Sequence, residues 1–396
     1  MSISHLPLSY CTNVHPGRTV QDVVDGLTQF TVPARQAFGH PLAAGLWLAQ
    51  PVVQELLAQP NGVRRLADEL RRSELMCCTL NAFPYGDFHG TRVKEQVYLP
   101  DWTQTSRREY TEACARILAE LLPLGVDGSI STVPLGFKGF QHPPEFQDRC
   151  CDQLLLLARY LDELYQKTGR RVRLAIEPEP FCVLETIPET IDFFAVLRKR
   201  ADLAGIRPLI DEYVGLCFDV CHQAVEYEDI PTCFRLLSEA EIRIHKLHIT
   251  CAIQLDDPAN NIAGRTALAQ YAEPRYLHQT IASARSAAHP RWIDLTPELA
   301  LNPPTEFLNA ESWRIHFHVP VNAENLGPLS TTRPQLKQAL VEVQNLDYAP
   351  HLEVETYTWE VLPDAPAVAT SADRLIQGLA QELRATRDLI HGIPNK

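Results

Sequence analysis

What the 396-residue chain lacks narrows it first. No apolar run approaches the roughly 20 residues that a membrane-crossing helix needs, so direct membrane insertion is not expected. The opening "MSISHLPLSYCTN" has no basic region followed by a long apolar core, so a secretory signal is not expected either. Positive charge is in deficit: 36 Lys and Arg stand against 49 Asp and Glu, a formal net charge of -13. That balance argues against a nucleic-acid partner. The eleven cysteines are odd in number and include no CxxC pair, which argues against a cysteine zinc knuckle. Adjacent pairs such as Cys77-Cys78 and Cys150-Cys151 suit small buried thiols in a reducing, cytoplasmic setting. Internal repeats and low-complexity tracts are absent. The 30 prolines are spread along the chain and point to long, stiffened loops.

What is present is an alternation of short apolar runs with amphipathic segments. Strand-like runs fall at 8–13, 45–50, 74–86, 129–136, 172–180, 214–222, 243–250 and 350–359, each followed by a helical pattern. Eight strand–helix units predict a (β/α)8 TIM barrel over residues 1–396 as one domain. An open doubly wound sheet would want a glycine-rich turn after its first strand, and "CTNVHPG" is not one. Ser106 and Glu109 have capping-box spacing at the start of one helix, and Gly169 is placed to end another. Between the seventh and eighth strands lies an insertion, residues 251–330, with one further strand at 313–321. It is expected to act as a lid over the barrel mouth.

The strand ends carry the chemistry. In "VRLAIEPEP" Pro178 stops the strand, because proline cannot donate a ladder hydrogen bond. Glu177 is then the last inward residue, and Glu179 is expected in a loop or behind the ligands. Alternation also points Asp219 of "LCFDVCH", His248 of "IHKLHI", and Glu353 and Glu355 of "HLEVETY" toward the barrel axis. Three carboxylates meeting at one point repel unless a cation neutralises them. Glu177, Asp219, His248 and Glu355 therefore form a candidate site for a divalent ion: Mn, Zn, Co, Fe or Mg. Glu353 sits one layer deeper than Glu355. It is expected to pair with Lys246 in a buried salt bridge that leaves metal binding to Glu355.

Those motifs, "AIEPEP", "CFDVCH", "KLHI" and "LEVETYT", resemble the strand ends of the xylose-isomerase-like TIM barrels. That group includes ketose 3-epimerases, sugar-phosphate isomerases and endonuclease IV. Over nearly the whole chain, "LSYCTNVHPG", "NAFPYGDFHG", "VKEQVYLPDW", "HFHVPV" and "LGPLSTT" resemble the Ebo-type metabolite-traffic family (EboE). The resemblance implies Glu177 and Glu355 as both metal ligands and catalytic acid and base, moving a proton through an enediolate. It implies a small polyol or ketone substrate, sugar- or cyclitol-like, and partner proteins of the same pathway. A non-catalytic metabolite-binding protein and a metal-dependent hydrolase are the alternatives. The nuclease pattern wants a histidine ending the fourth strand, where "TVPLGFKG" has none.

His222 would hold a substrate oxygen or a second metal ion. His316 and His318 of "HFHVPV" are read either as ligands or substrate contacts, or as hydrogen-bonded parts of the lid. Asn13, His89 and Lys138 lie in loops beyond strands one, three and four and are candidate substrate contacts. Glu185 stands near where the relatives carry a carboxylate that binds a substrate hydroxyl.

Overall fold

Eight parallel strands close on one another in the computed structural model, which describes residues 6–284, 288–363 and 371–393. They are β1 (Ser9–Cys11), β2 (Ala43–Trp47), β3 (Thr79–Asn81), β4 (Gly128–Thr132), β5 (Val172–Ile176), β6 (Val214–Asp219), β7 (Ile244–Ile249) and the last barrel strand (His351–Val354). Each pairs in parallel with its neighbours, and the last closes between β7 and β1. Strands β6 and β7 are buried along their whole length. That is the pattern of a parallel sheet covered on both faces. The barrel is the predicted TIM fold, and closure excludes the open sheet. Strand limits moved: β2 begins two residues earlier than its motif, and β4 and β5 stop short of their prolines.

Between β7 and the closing strand the chain builds a second, antiparallel sheet. Its strands are β8 (Ile253–Asp256), β9 (Thr280–Ala282), β10 (Arg291–Trp292), β11 (Ser312–Ile315), β12 (Asn325–Leu326) and β13 (Leu329–Thr331), in the order β10-β9-β11-β8-β13-β12. The closing barrel strand is thus β14. One strand was expected here, at 313–321. The observed β11 ends at Ile315, where Phe317 N turns back to the Ile315 carbonyl at 2.7 Å. His316 and His318 lie just past it.

Local signals hold at some helix ends and fail at others. Gly169 ends the helix Phe146–Thr168 with φ 66°, a left-handed geometry that glycine adopts at no steric cost. The Ser106–Glu109 capping box does not form. The helix Thr105–Leu121 starts one residue before Ser106, with Gln104 at its cap and no side-chain cap. Full capping boxes occur instead at Thr19–Asp22 and Thr186–Glu189.

The barrel interior is polar below its mouth. Lys246 Nζ lies 2.6 Å from Glu353 Oε1, both fully buried. Ser131 Oγ is 3.3 Å from the same nitrogen, and Ser9 Oγ is 3.3 Å from Glu353 Oε2. Gly45 on β2 makes room for this pair: a Cβ there would fall 1.4 Å from Glu353 Oε2. Arg173 serves the opposite end of the barrel, paired with Asp127 at 2.7 Å and Glu212 at 2.6 Å.

Candidate metal centre

Glu177 follows β5, Asp219 and His248 face each other across β6 and β7, and Glu355 follows β14. All four are buried, and their donor atoms lie within 4.8 Å of one another. His248 Nδ1 is the point of convergence: Glu177 Oε1 is 2.9 Å away, Glu355 Oε2 3.0 Å and Asp219 Oδ2 3.4 Å. Oxygen and nitrogen ligands at the bond lengths of a small divalent ion, near right angles to one another, lie about 3 Å apart. The donor set fits such an ion.

Two of the four ligands, Asp219 and Glu355, have their second oxygen already committed. Asp219 Oδ1 caps the helix Val220–Val225, accepting from His222 N at 3.0 Å and from Thr250 Oγ1 at 2.7 Å. Its Oδ2 is left without a hydrogen bond, as is Glu177 Oε2. Glu355 Oε1 accepts from Asn13 Nδ2 at 2.9 Å and Asn81 Nδ2 at 2.8 Å. His248 Nε2 faces Glu353 Oε1 at 3.3 Å. A carboxylate behind a histidine in this way fixes its tautomer and leaves the other nitrogen to bind a metal.

Electrostatics follow from this crowding. Burial lifts the Glu177 carboxyl above its ordinary range, with His248 working against it. Burial also works to raise Glu355, but His248 outweighs it and brings the group to about 2. Asp219 is lowered too, with His222 and His318 overcoming the cost of burial. His248 is raised well above the usual histidine value, because Cys217, Glu177 and Glu355 outweigh its burial.

Beside this cluster stand three more buried histidines. The ring centroids of His222 and His316 are 4.5 Å apart, of His222 and His318 5.6 Å, and of His316 and His318 5.3 Å. Each points its Nδ1 at an oxygen that can only accept: His222 at Pro178 O (2.9 Å), His316 at Gln279 Oε1 (2.7 Å) and His318 at Glu355 O (2.7 Å). Each Nδ1 therefore donates. Burial, the largest cause, lowers all three pKa values and so favours the neutral rings. The lone pairs are then on Nε2, and those of His316 and His318 have no partner.

A cavity opens above both groups. Asn13, Glu177, His222, His316, His318 and Glu355 line it, and so does Glu179. Glu179, expected in a loop or behind the ligands, lies in the loop after β5. It is a buried wall residue, held by Tyr98 Oη at 2.6 Å and Gln279 Nε2 at 3.3 Å, with burial pushing its carboxyl up to about 8. Asn81 was missed, although it ends β3 as Glu177 ends β5. Tyr98 and Gln279 were missed because nothing local marks them.

Three sequence candidates fall outside the cavity lining. His89 Nε2 donates to the Asn13 carbonyl at 2.8 Å and so supports that loop from behind. Lys138 Nζ is 2.9 Å from Glu185 Oε1 and 2.9 Å from Glu189 Oε1. Glu185 is also bound by Arg291 of β10, which grips Glu226 at 2.9 Å as well. That ion cluster joins the second sheet to the barrel loops. Loop position alone did not fix where these side chains turn.

The fold is that of a (β/α)8 TIM barrel. Among solved structures, the chain is similar to the IOLI protein with a bound zinc atom, at 12% identity and TM-score 0.51, over 99% of this chain and 100% of that one. It also matches a xylose isomerase-like TIM barrel protein from Mycobacterium smegmatis in complex with magnesium, at 12% identity and TM-score 0.47, over 98% and 99% of the two chains. A D-tagatose 3-epimerase-like protein matches at 11% identity and TM-score 0.47, over 97% and 99%. No protein-family model and no curated protein matches the sequence.

Proposed function

We propose that the chain is a metal-dependent isomerase or epimerase of a small polyhydroxy carbonyl compound. The observation that carries this is the meeting of Glu177, Asp219, His248 and Glu355 around one point under a cavity. A divalent ion held by these four residues would polarise a carbonyl and lower the cost of removing the neighbouring proton. Glu177 and Glu355 reach that point from strands on different sides of His248. One takes the proton from the carbon beside the carbonyl, and the other returns one to the opposite face. Asn13 and Asn81 hold Glu355 in place for this. His222, His316 and His318 bind substrate oxygens or a second divalent ion beside Asp219. The inserted segment serves as the lid, a reading supported by its contribution of His316 and His318 to the cavity wall. The Ebo-type motifs support a role in a metabolite pathway with partner proteins of its own, and eleven buried thiols suit a cytoplasmic setting.

Elemental analysis of the purified protein tests the site. One or more divalent ions per chain are expected, with lower occupancy in Glu177→Gln, Asp219→Asn and His248→Ala. Full metal retention in all three variants would reject it. Catalysis is tested separately, by solvent deuterium appearing beside the carbonyl of a ketose or cyclitol ketone followed by NMR.

A further inference from the structure

The cavity has two unlike ends. The carboxylates and histidines gather at the metal cluster, whereas the opposite wall includes Phe83, Phe88, Val97, Tyr276, Leu277 and Tyr357. Three of these rings pack against one another at tilted to steep angles: Phe88 lies 4.9 Å from Tyr276 and 5.3 Å from Tyr357, and those two are 4.9 Å apart. Phe83 stands 6.0 Å from Tyr98. Lys94 is the one cation of the lining, and its ammonium is already spent on Glu273 O (2.9 Å), Tyr276 O (2.5 Å) and Asp294 Oδ2 (2.7 Å). A phosphate placed here would lose its hydration and find no free cation among the lining residues. A polyol with a hydroxyl on every carbon would set its far hydroxyls against a mostly carbon surface, which is costly wherever they find no partner.

We infer that the substrate is uncharged and carries, next to the oxygens that face the cluster, an apolar group that lies against this wall. This rests on the metal-dependent reading above. At the polar end Asn13 Oδ1, buried and without a hydrogen bond, is free to accept from a substrate hydroxyl.

Four α-hydroxy ketones with the same chelating unit and different tails test the inference: hydroxyacetone, dihydroxyacetone, dihydroxyacetone phosphate and 2-hydroxyacetophenone. Calorimetric titration of the metal-loaded full chain should give 2-hydroxyacetophenone about tenfold tighter binding than hydroxyacetone, the gain expected for burying and stacking one ring. The phosphate should bind no better than dihydroxyacetone. Phe83→Leu, which keeps the wall apolar, should cut the preference for the phenyl tail over hydroxyacetone several-fold. No preference for the phenyl tail, or tightest binding of the phosphate, overturns the inference. Repeating the titration on chelator-treated protein separates the two readings. An unchanged phenyl affinity there counts against the metal site, whereas loss of preference with metal bound counts against the apolar group alone.

Discussion

Replacing Glu353 by glutamine separates the two glutamates of β14. Lys246 is fully buried, and its remaining acceptors, Leu80 O at 3.4 Å and Ser131 Oγ at 3.3 Å, are long and neutral. Breaking a buried pair by removing one partner costs about 3–5 kcal/mol. Unfolding entropy of roughly 2.1 cal/mol/K per residue, over 396 residues, gives about 0.8 kcal/mol/K. The melting temperature should therefore fall by about 4–6 °C. The sequence suggested that metal binding would stay largely intact. Glu353 Oε1 is, however, 3.3 Å from His248 Nε2, and loss of such a partner typically costs 10–100-fold in metal affinity. Glutamine keeps an acceptor oxygen, so the loss should sit at or below about tenfold. Glu355→Gln should do the reverse: metal lost, and melting in chelator unchanged, because Lys246–Glu353 stays intact. Thermal unfolding in chelator, with metal titration alongside, reads both quantities. Glu353→Gln that melts as wild type while losing its metal would show that the roles are exchanged.

Two further outcomes follow from buried contacts. Gly45→Ala should destabilise through the same pair, since its Cβ would displace Glu353 from Lys246; in the double variant with Glu353→Gln the two losses should fall well short of additive, and full additivity in denaturant titration would refute this. Burial lifts the Glu382 carboxyl to about 7, although Thr356 Oγ1, Trp359 Nε1 and Val321 N all donate to it. Its folded pKa lies above the ordinary value of 4.5, so its proton favours the folded state. That contribution is complete below about pH 4.5 and is lost as pH rises through 7, on the order of 1–3 kcal/mol. Melting temperature should decline from pH 5 to pH 8, Glu382→Gln should flatten that decline, and identical profiles would exclude Glu382 as its source.

The barrel and the core of the site were legible because both obey short-range rules. Glu177, Asp219, His248 and Glu355 each end a strand whose alternation could be read from its own few residues, and Pro178 marked where β5 stops. The Lys246–Glu353 pair was legible for the same reason, as depth along a strand is a matter of counting. The second sheet was not, because its strands run for two to four residues, too short for a period to show. Gln279 and Tyr98 join the site only through tertiary contacts. Glu185 and Lys138 were placed by loop position, which does not say which way a side chain turns.

The hold of Lys94 on the segment that builds the second sheet has a consequence for engineering. Lys94 begins the short 3-10 helix Lys94–Tyr98 in the loop after β3, and its ammonium is fastened to three acceptors in residues 273–294. Backbone bonds from Val93 and Lys94 to Arg275 O, both 2.8 Å, add to the hold. Two pieces of chain nearly two hundred residues apart are thus fastened as one wall. A chimera that exchanges residues 251–330 alone would leave a lysine stranded and a wall half built. One that carries residues 93–98 with it keeps this joint.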